Sequence, residues 1–143
     1  MSSRFAVVET DAATVVSVFR RCSMHQAASS FASGLAPGEV ALAVTDDSTV
    51  IGALVGRVDD ELTHEGRSWS EGFLAYMAVL RSHRGEGAGS RLLNDFLGRC
   101  RTAGSTHVSV RAAENPAVRR FYYTNDFHAA PDGLHGVMVC ALG

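Results

Sequence analysis

The chain has 143 residues, 46% hydrophobic and 20% charged, with a formal net charge of −2. That length supplies one domain with a sizeable core and no second full domain, and the mild acidity gives no reason to expect nucleic acid or an anionic membrane as partner. All 13 basic residues are Arg and none is Lys, which excludes a Gly-Lys-Ser/Thr phosphate loop, a Schiff-base lysine and acetylation of the chain's own lysines.

Arg4 to Glu9 reads as a short strand. Thr10-Asp11 is a helix-start signal, and Val15, Val18, Phe19 and Cys22 follow at helical spacing. A second helix is expected over His25 to Ser33. Glu39 to Thr45, an Asp46-Asp47 turn and Thr49 to Val58 read as a hairpin, with Asp59 to Arg67 as a polar loop. Trp69 to Leu80 is a central strand with a continuous apolar stretch. A glycine-rich turn at Arg84 to Gly89 follows. From Ser90 to Arg101, Leu92, Leu93, Phe96, Leu97 and Cys100 form the apolar stripe of an amphipathic helix. Val108 to Arg111 is a strand, Asn115-Pro116 opens a helix, and Phe127 to Ala129 and Gly136 to Leu142 close the chain as strands around a Pro131-Asp132-Gly133 turn.

This order predicts a single α+β domain over residues 1–143, layered α/β/α, with a strand, glycine turn and helix at its centre. The three cysteines, Cys22, Cys100 and Cys140, are scattered and odd in number, so they read as small buried apolar residues in a reducing compartment. The longest apolar run, Phe73 to Leu80, is too short to span a bilayer, and the N-terminus reaches an acid before any signal-like run. A cytoplasmic protein without membrane association is expected. Cys22/His25 and His128/His135/Cys140 lack paired metal-binding spacing, so no metal site is expected. Gly66-Arg67-Ser68-Trp69-Ser70 misses a nucleophile elbow at its last position.

The bend Arg84-Gly85-Glu86-Gly87-Ala88-Gly89-Ser90 has the composition of an anion site. Backbone N–H groups at a helix start lack intrahelical partners and carry the positive end of the dipole, and glycine lets a phosphate approach them. A dinucleotide fingerprint is a poor match, because Ser90 stands where its third glycine belongs. A tight structural turn without ligand is the competing reading.

Met77-Ala78-Val79 followed by Arg84 to Gly89 and an amphipathic helix resembles the acetyl-CoA signature Arg/Gln-x-x-Gly-x-Gly/Ala of the GNAT superfamily of N-acetyltransferases. Asn115-Pro116-Ala117 through Phe121-Tyr122 to Phe127 resembles the closing motif of the same superfamily. The resemblance covers nearly the whole chain and implies a mixed, mostly antiparallel central sheet flanked by helices. It implies that backbone groups of Met77 and Val79 pair with the pantetheine arm like an added strand, with Ala78 between them in the cofactor-binding segment. The N–H groups of Gly85, Glu86, Gly87, Ala88, Gly89 and Ser90 would hold the pyrophosphate, with Arg84 neutralising phosphate charge. Asn115 would contact the region of the cofactor sulfur, a role compatible with plain N-capping.

Acetyl transfer to an amine needs a neutral amine, an oxyanion donor and a proton for the departing thiolate. Tyr122 lies two turns after Asn115 on the same helical face, and a phenol of pKa about 10 can donate to a thiolate. The resemblance and this geometry assign Tyr122 as general acid, with a core aromatic as the competing reading. The backbone N–H of Val79 is the implied oxyanion donor. Some relatives carry a Glu on the strand before the Asn, where this chain has Ser109, and Glu114 reads as a one-residue insertion. Glu71 shares a strand face with Phe73, Ala75 and Met77 and is the candidate base, with His107 as a second candidate and a solvated carboxylate as the competing reading for Glu71. Deprotonating a Lys-like amine at pH 7 costs roughly 4–5 kcal/mol, against about 1 for an α-amino group, so a weak base favours an amine of low pKa or a water relay.

Asp126 stands where the superfamily usually has Gly, and Arg81 where Pro is common. The substrate-facing parts are implied around Phe19, His25 and Phe31 and around Pro131 to His135. The acidic run Asp59-Asp60-Glu61 with Glu65 reads either as a solvated face or as an attractor for a cationic amine. The expected activity is acetyl-CoA-dependent N-acetylation of a primary amine on a small molecule, or on a protein N-terminus, by direct transfer in a ternary complex. A non-catalytic acyl-CoA-binding regulatory module is the alternative, a toxin modifying charged tRNA is a third reading, and a homodimer stays open.

Overall fold

Asp11 starts the first helix: its carboxylate accepts the Thr14 backbone N–H at 2.9 Å, capping α1 (Ala12–Arg21) after strand β1 (Phe5–Glu9). The computed structural model describes residues 4–112, 115–130 and 136–143. Helix α2 (His25–Ser30) is followed by β2 (Glu39–Asp46) and β3 (Thr49–His64). Their turn is Asp47-Ser48, both at positive φ, one residue later than the sequence suggests. Strand β4 (Arg67–Val79) leads through a short 3₁₀ turn to α3 (Ala88–Thr102), β5 (His107–Arg111), α4 (Pro116–Thr124), β6 (His128–Ala129) and β7 (Val137–Ala141). The Pro131-Asp132-Gly133 turn and Glu114 lie outside the described residues.

The described strands form one seven-stranded sheet in the order β1-β2-β3-β4-β5-β7-β6. Pairing is antiparallel for β1–β2, β5–β7 and β6–β7, and parallel for β4–β5. This is the mixed, mostly antiparallel α+β architecture that the sequence predicts.

One expectation is corrected. Asp59 to His64 is not loop but the continuation of β3, joined to β4 by Glu65-Gly66. Both turn residues have positive φ, 52° and 76°, the combination that matches the twist of a tight hairpin. Residues 61–68 are exposed throughout, so no buried face imposes the alternation by which a strand is recognised.

The chain divides into two compact units, Met1–Gly56 with Tyr76–Phe96, and Arg57–Ala75 with Leu97–Gly143. In the first, Val15, Val18, Phe19, Ala27 and Ala28 from the two N-terminal helices, with Phe31 at the C-cap of α2, pack with Ala53, Val55, Ala78 and Leu80. Phe19, Phe31 and Tyr76 form an aromatic trio with ring centroids 5.8–6.2 Å apart. Phe19 and Phe31 therefore sit in the core, where the sequence placed them near substrate, and His25 is exposed. In the second unit Leu74, Val108, Val110, Met138 and Cys140 are buried, and the Gly72 backbone runs against the Cys100 side chain. Ser105, a buried polar residue, donates to the Val58 carbonyl.

Candidate active site

The glycine turn belongs to the first unit. Gly85 and Gly87 have φ of +80° and +91°, a backbone that L side chains rarely adopt. The Gly87 carbonyl accepts the Arg91 N–H at 3.0 Å, which makes Gly87 the cap of α3. Glycine has no side-chain oxygen to offer the first-turn amides, and among the described residues the N–H groups from Gly85 to Ser90 meet no acceptor. A Cβ built at Gly85 or Gly87 meets nothing within 4 Å, so the space at the bend is open. Unpaired donors, the positive helix end and open space together suit an anion.

Immediately before the turn, the Leu80 N–H donates to the Ile51 carbonyl at 2.8 Å, so residue 80 points its backbone groups toward β3. By strand alternation, those of Val79 and Met77 point to the opposite edge. Among the described residues, β5 registers with β4 from Glu71↔His107 to Leu74↔Val110, which leaves the edge past Leu74 without a registered strand. The Val79 carbonyl is occupied: Arg84 Nε donates to it at 3.1 Å and the Cys22 thiol lies 3.7 Å away. Arg84 thus fastens the strand end, a role its position in the motif does not disclose.

Five charged or polar side chains form contacts around the same turn. Arg4 Nη2 lies 2.8 Å from Glu86 Oε1, and Arg4 Nε lies 3.5 Å from Asp46 Oδ1. His83 Nε2 is 3.1 Å from Asp46 Oδ2, and its Nδ1 is 2.9 Å from Ser82 Oγ.

The second unit carries Asn115, Tyr122, Glu71 and His107. Asn115 caps α4, its Oδ1 accepting the Ala117 N–H at 2.9 Å. The Tyr122 ring is buried between Phe121 and Phe127, each with its centroid 5.3 Å away. Among the described residues its hydroxyl meets no hydrogen-bond partner. Burial pushes the phenol up to about 12, which holds the proton firmly. Glu71 and His107 are cross-strand neighbours in the β4–β5 register. Glu71 Oε2 takes the Trp69 indole N–H at 3.4 Å, and His107 Nδ1 lies 2.8 Å from Thr106 Oγ1.

The acetyltransferase (GNAT) family model matches residues 8–127, which run through both units. The chain belongs to the GNAT family. No curated protein matches it in sequence. Among solved structures, the GNAT chain resembles the ribosomal-protein-S18-alanine N-acetyltransferase from Escherichia coli, with a TM-score of 0.75 at 14% identity over 97% of this chain and 94% of that one. It also resembles Ard1 from Thermoplasma volcanium, with a TM-score of 0.71 at 18% identity over 99% of both chains. A mutant of the toxin AtaT bound to the C-terminus of the antitoxin AtaR and acetyl-CoA gives 0.65 at 12% identity over 98% of this chain and 94% of that one. At these identities the likeness shows the shared fold.

The motif segments of the GNAT chain were legible locally. Arg4, Asp46, His83 and Cys22 were not, because each acts across a long gap: 37 residues separate His83 from Asp46 and 57 separate Cys22 from Val79. No spacing rule relates such residues.

Proposed function

We propose that this protein transfers the acetyl group of acetyl-CoA to a primary amine by direct transfer in a ternary complex, as one cytoplasmic GNAT domain spanning residues 1–143. The observation that carries the reading is the run of N–H groups from Gly85 to Ser90 that meet no acceptor among the described residues, at a helix start capped by glycine. Acetyl-CoA supplies the activated thioester. The N–H groups of Gly85 to Ser90 bind its pyrophosphate, and the outward backbone groups of Met77 pair with the pantetheine arm, with Ala78 next to it facing β3; the Val79 carbonyl, already held by Arg84, takes no part in that pairing. The Val79 N–H donates to the developing oxyanion. Glu71 accepts the amine proton, directly or through water, and Tyr122 O–H gives its proton to the departing thiolate. Asn115 donates from its side-chain amide near the cofactor sulfur.

A small-molecule amine is the acceptor we favour, with a protein N-terminus as the competing one. The competing reading of the whole, an acyl-CoA-binding regulator, predicts cofactor binding without turnover.

Calorimetric titration with acetyl-CoA tests the cradle. Ser90 is the third residue of α3, where a Glu is favourable to the helix dipole and can fold back onto the capping N–H, so Ser90→Glu keeps the fold and fills the anion site itself. Saturable binding by the wild type, lost in Ser90→Glu, is expected. No binding by folded wild type would overturn the reading. Tyr122→Phe then separates enzyme from regulator: kcat should fall about 10²–10⁴-fold with cofactor affinity unchanged. Mass spectrometry of amine and peptide pools identifies the acceptor class.

A further inference from the structure

The motif places a carboxylate, Glu86, in the middle of the N–H run that is to hold an anion. By itself that is unfavourable, since like charges a few ångströms apart repel and the helix end that should attract phosphate is partly cancelled. The fold supplies a remedy from a distant part of the chain. Arg4 lies just ahead of β1 and its guanidinium meets Glu86 at 2.8 Å, while its Nε lies 3.5 Å from Asp46, a second carboxylate that His83 also contacts. Both Arg4 and Glu86 are well exposed, with side chains 49% and 39% accessible. An exposed pair of that kind contributes little to folding stability. Its effect falls instead on a charged ligand brought to the turn.

We propose that Arg4 is a positioning residue that masks the Glu86 carboxylate, so that the turn from Gly85 to Ser90 presents a net attractive field to a pyrophosphate-bearing ligand. The proposal rests on the acetyl-CoA reading for the identity of that ligand. A rival role is purely mechanical: the Arg4–Glu86 and His83–Asp46 contacts would clamp the turn in shape, and charge would be incidental. The two roles differ in what Glu86 does when Arg4 is gone. Under masking, Glu86 is the harmful group and removing it relieves the loss of Arg4. Under clamping, removing either partner breaks the same contact.

Arg4→Gln, Glu86→Gln and the double variant, each confirmed folded by circular dichroism, decide it by calorimetry with acetyl-CoA at low and high salt. Arg4→Gln should weaken binding about 3–10-fold at 20 mM salt, the difference fading toward 0.5 M as screening grows. Glu86→Gln should bind as tightly as wild type or tighter, and the double variant should return to within about twofold of wild type. Equal weakening in both single variants with no recovery in the double variant would overturn masking, as would an Arg4→Gln variant indistinguishable from wild type. Parallel titration with inorganic pyrophosphate keeps the two readings apart. If wild type ignores acetyl-CoA while pyrophosphate affinities follow the same charge order, the acetyltransferase reading falls and the role of Arg4 stands. If wild type binds neither, both fall.

Discussion

Asn115 joins a structural role with a proposed chemical one. Its Oδ1 caps α4 by accepting from Ala117, and its amide nitrogen has no partner among the described residues. The two halves can be separated by substitution. Asn115→Ala should cost about 1 kcal/mol of stability, the usual value of a lost cap, whereas Asn115→Asp keeps the acceptor and should stay within about 0.5 kcal/mol of wild type. Urea denaturation of both variants checks this, and equal losses would show that the cap contributes nothing. The Asp variant, which has lost the donor, should still bind acetyl-CoA more weakly than wild type. Asn115 was legible because Asn-Pro is a local helix-start signal. For Tyr122, the motif named the residue, but only the fold shows a buried ring with a raised pKa.

At the level of elements, α3 and the core of β4 were readable because apolar residues repeat at the period of each structure. Leu92, Leu93, Phe96 and Cys100 are all fully buried, as the stripe requires. The far half of β3 was not readable, because solvent on both faces removes the alternation. Where α3 meets β4, a Cβ on Gly72 would lie 2.6 Å from Cys100 Sγ and 3.1 Å from Val108 Cγ2. Gly72 thus serves close approach of helix to strand, with no positive φ involved. Gly72→Ala should destabilise by about 1–3 kcal/mol through overpacking. Cys100→Ala in the same chain frees the space, so the double variant should be more stable than Gly72→Ala alone. A double variant that is less stable still would refute the packing account.

Across the whole molecule, the absence of Lys simplifies alkaline behaviour. With no Lys in the chain, Cys and Tyr are the side-chain types whose ordinary pKa lies between about 8.5 and that of Arg. Burial pushes Cys100 up to about 12, with the charge of Asp59 adding to it, and pushes Tyr122 up to about 12. Both groups hold their protons in the folded state at pH values where the unfolded chain releases them. Their contribution to stability is therefore complete below about pH 8.5, the unfolded thiol value, and is lost as pH rises toward 12, with the Tyr122 share falling away above about pH 10. Denaturation midpoints at pH 8, 9.5 and 11 should fall in that order, and a flat series would show that these groups stay unshifted. The proposed acceptor belongs to this scale too: the family motif is local and legible, whereas specificity depends on surfaces that no spacing rule describes.

The Glu65-Gly66 turn, exposed with both of its neighbouring strand ends, has a practical side. Extra residues at such a tip add little closure entropy, about 0.6 kcal/mol for each doubling of loop length. It is a point where a tether or a fluorophore can be spliced into the chain while the glycine turn and both cores keep their contacts.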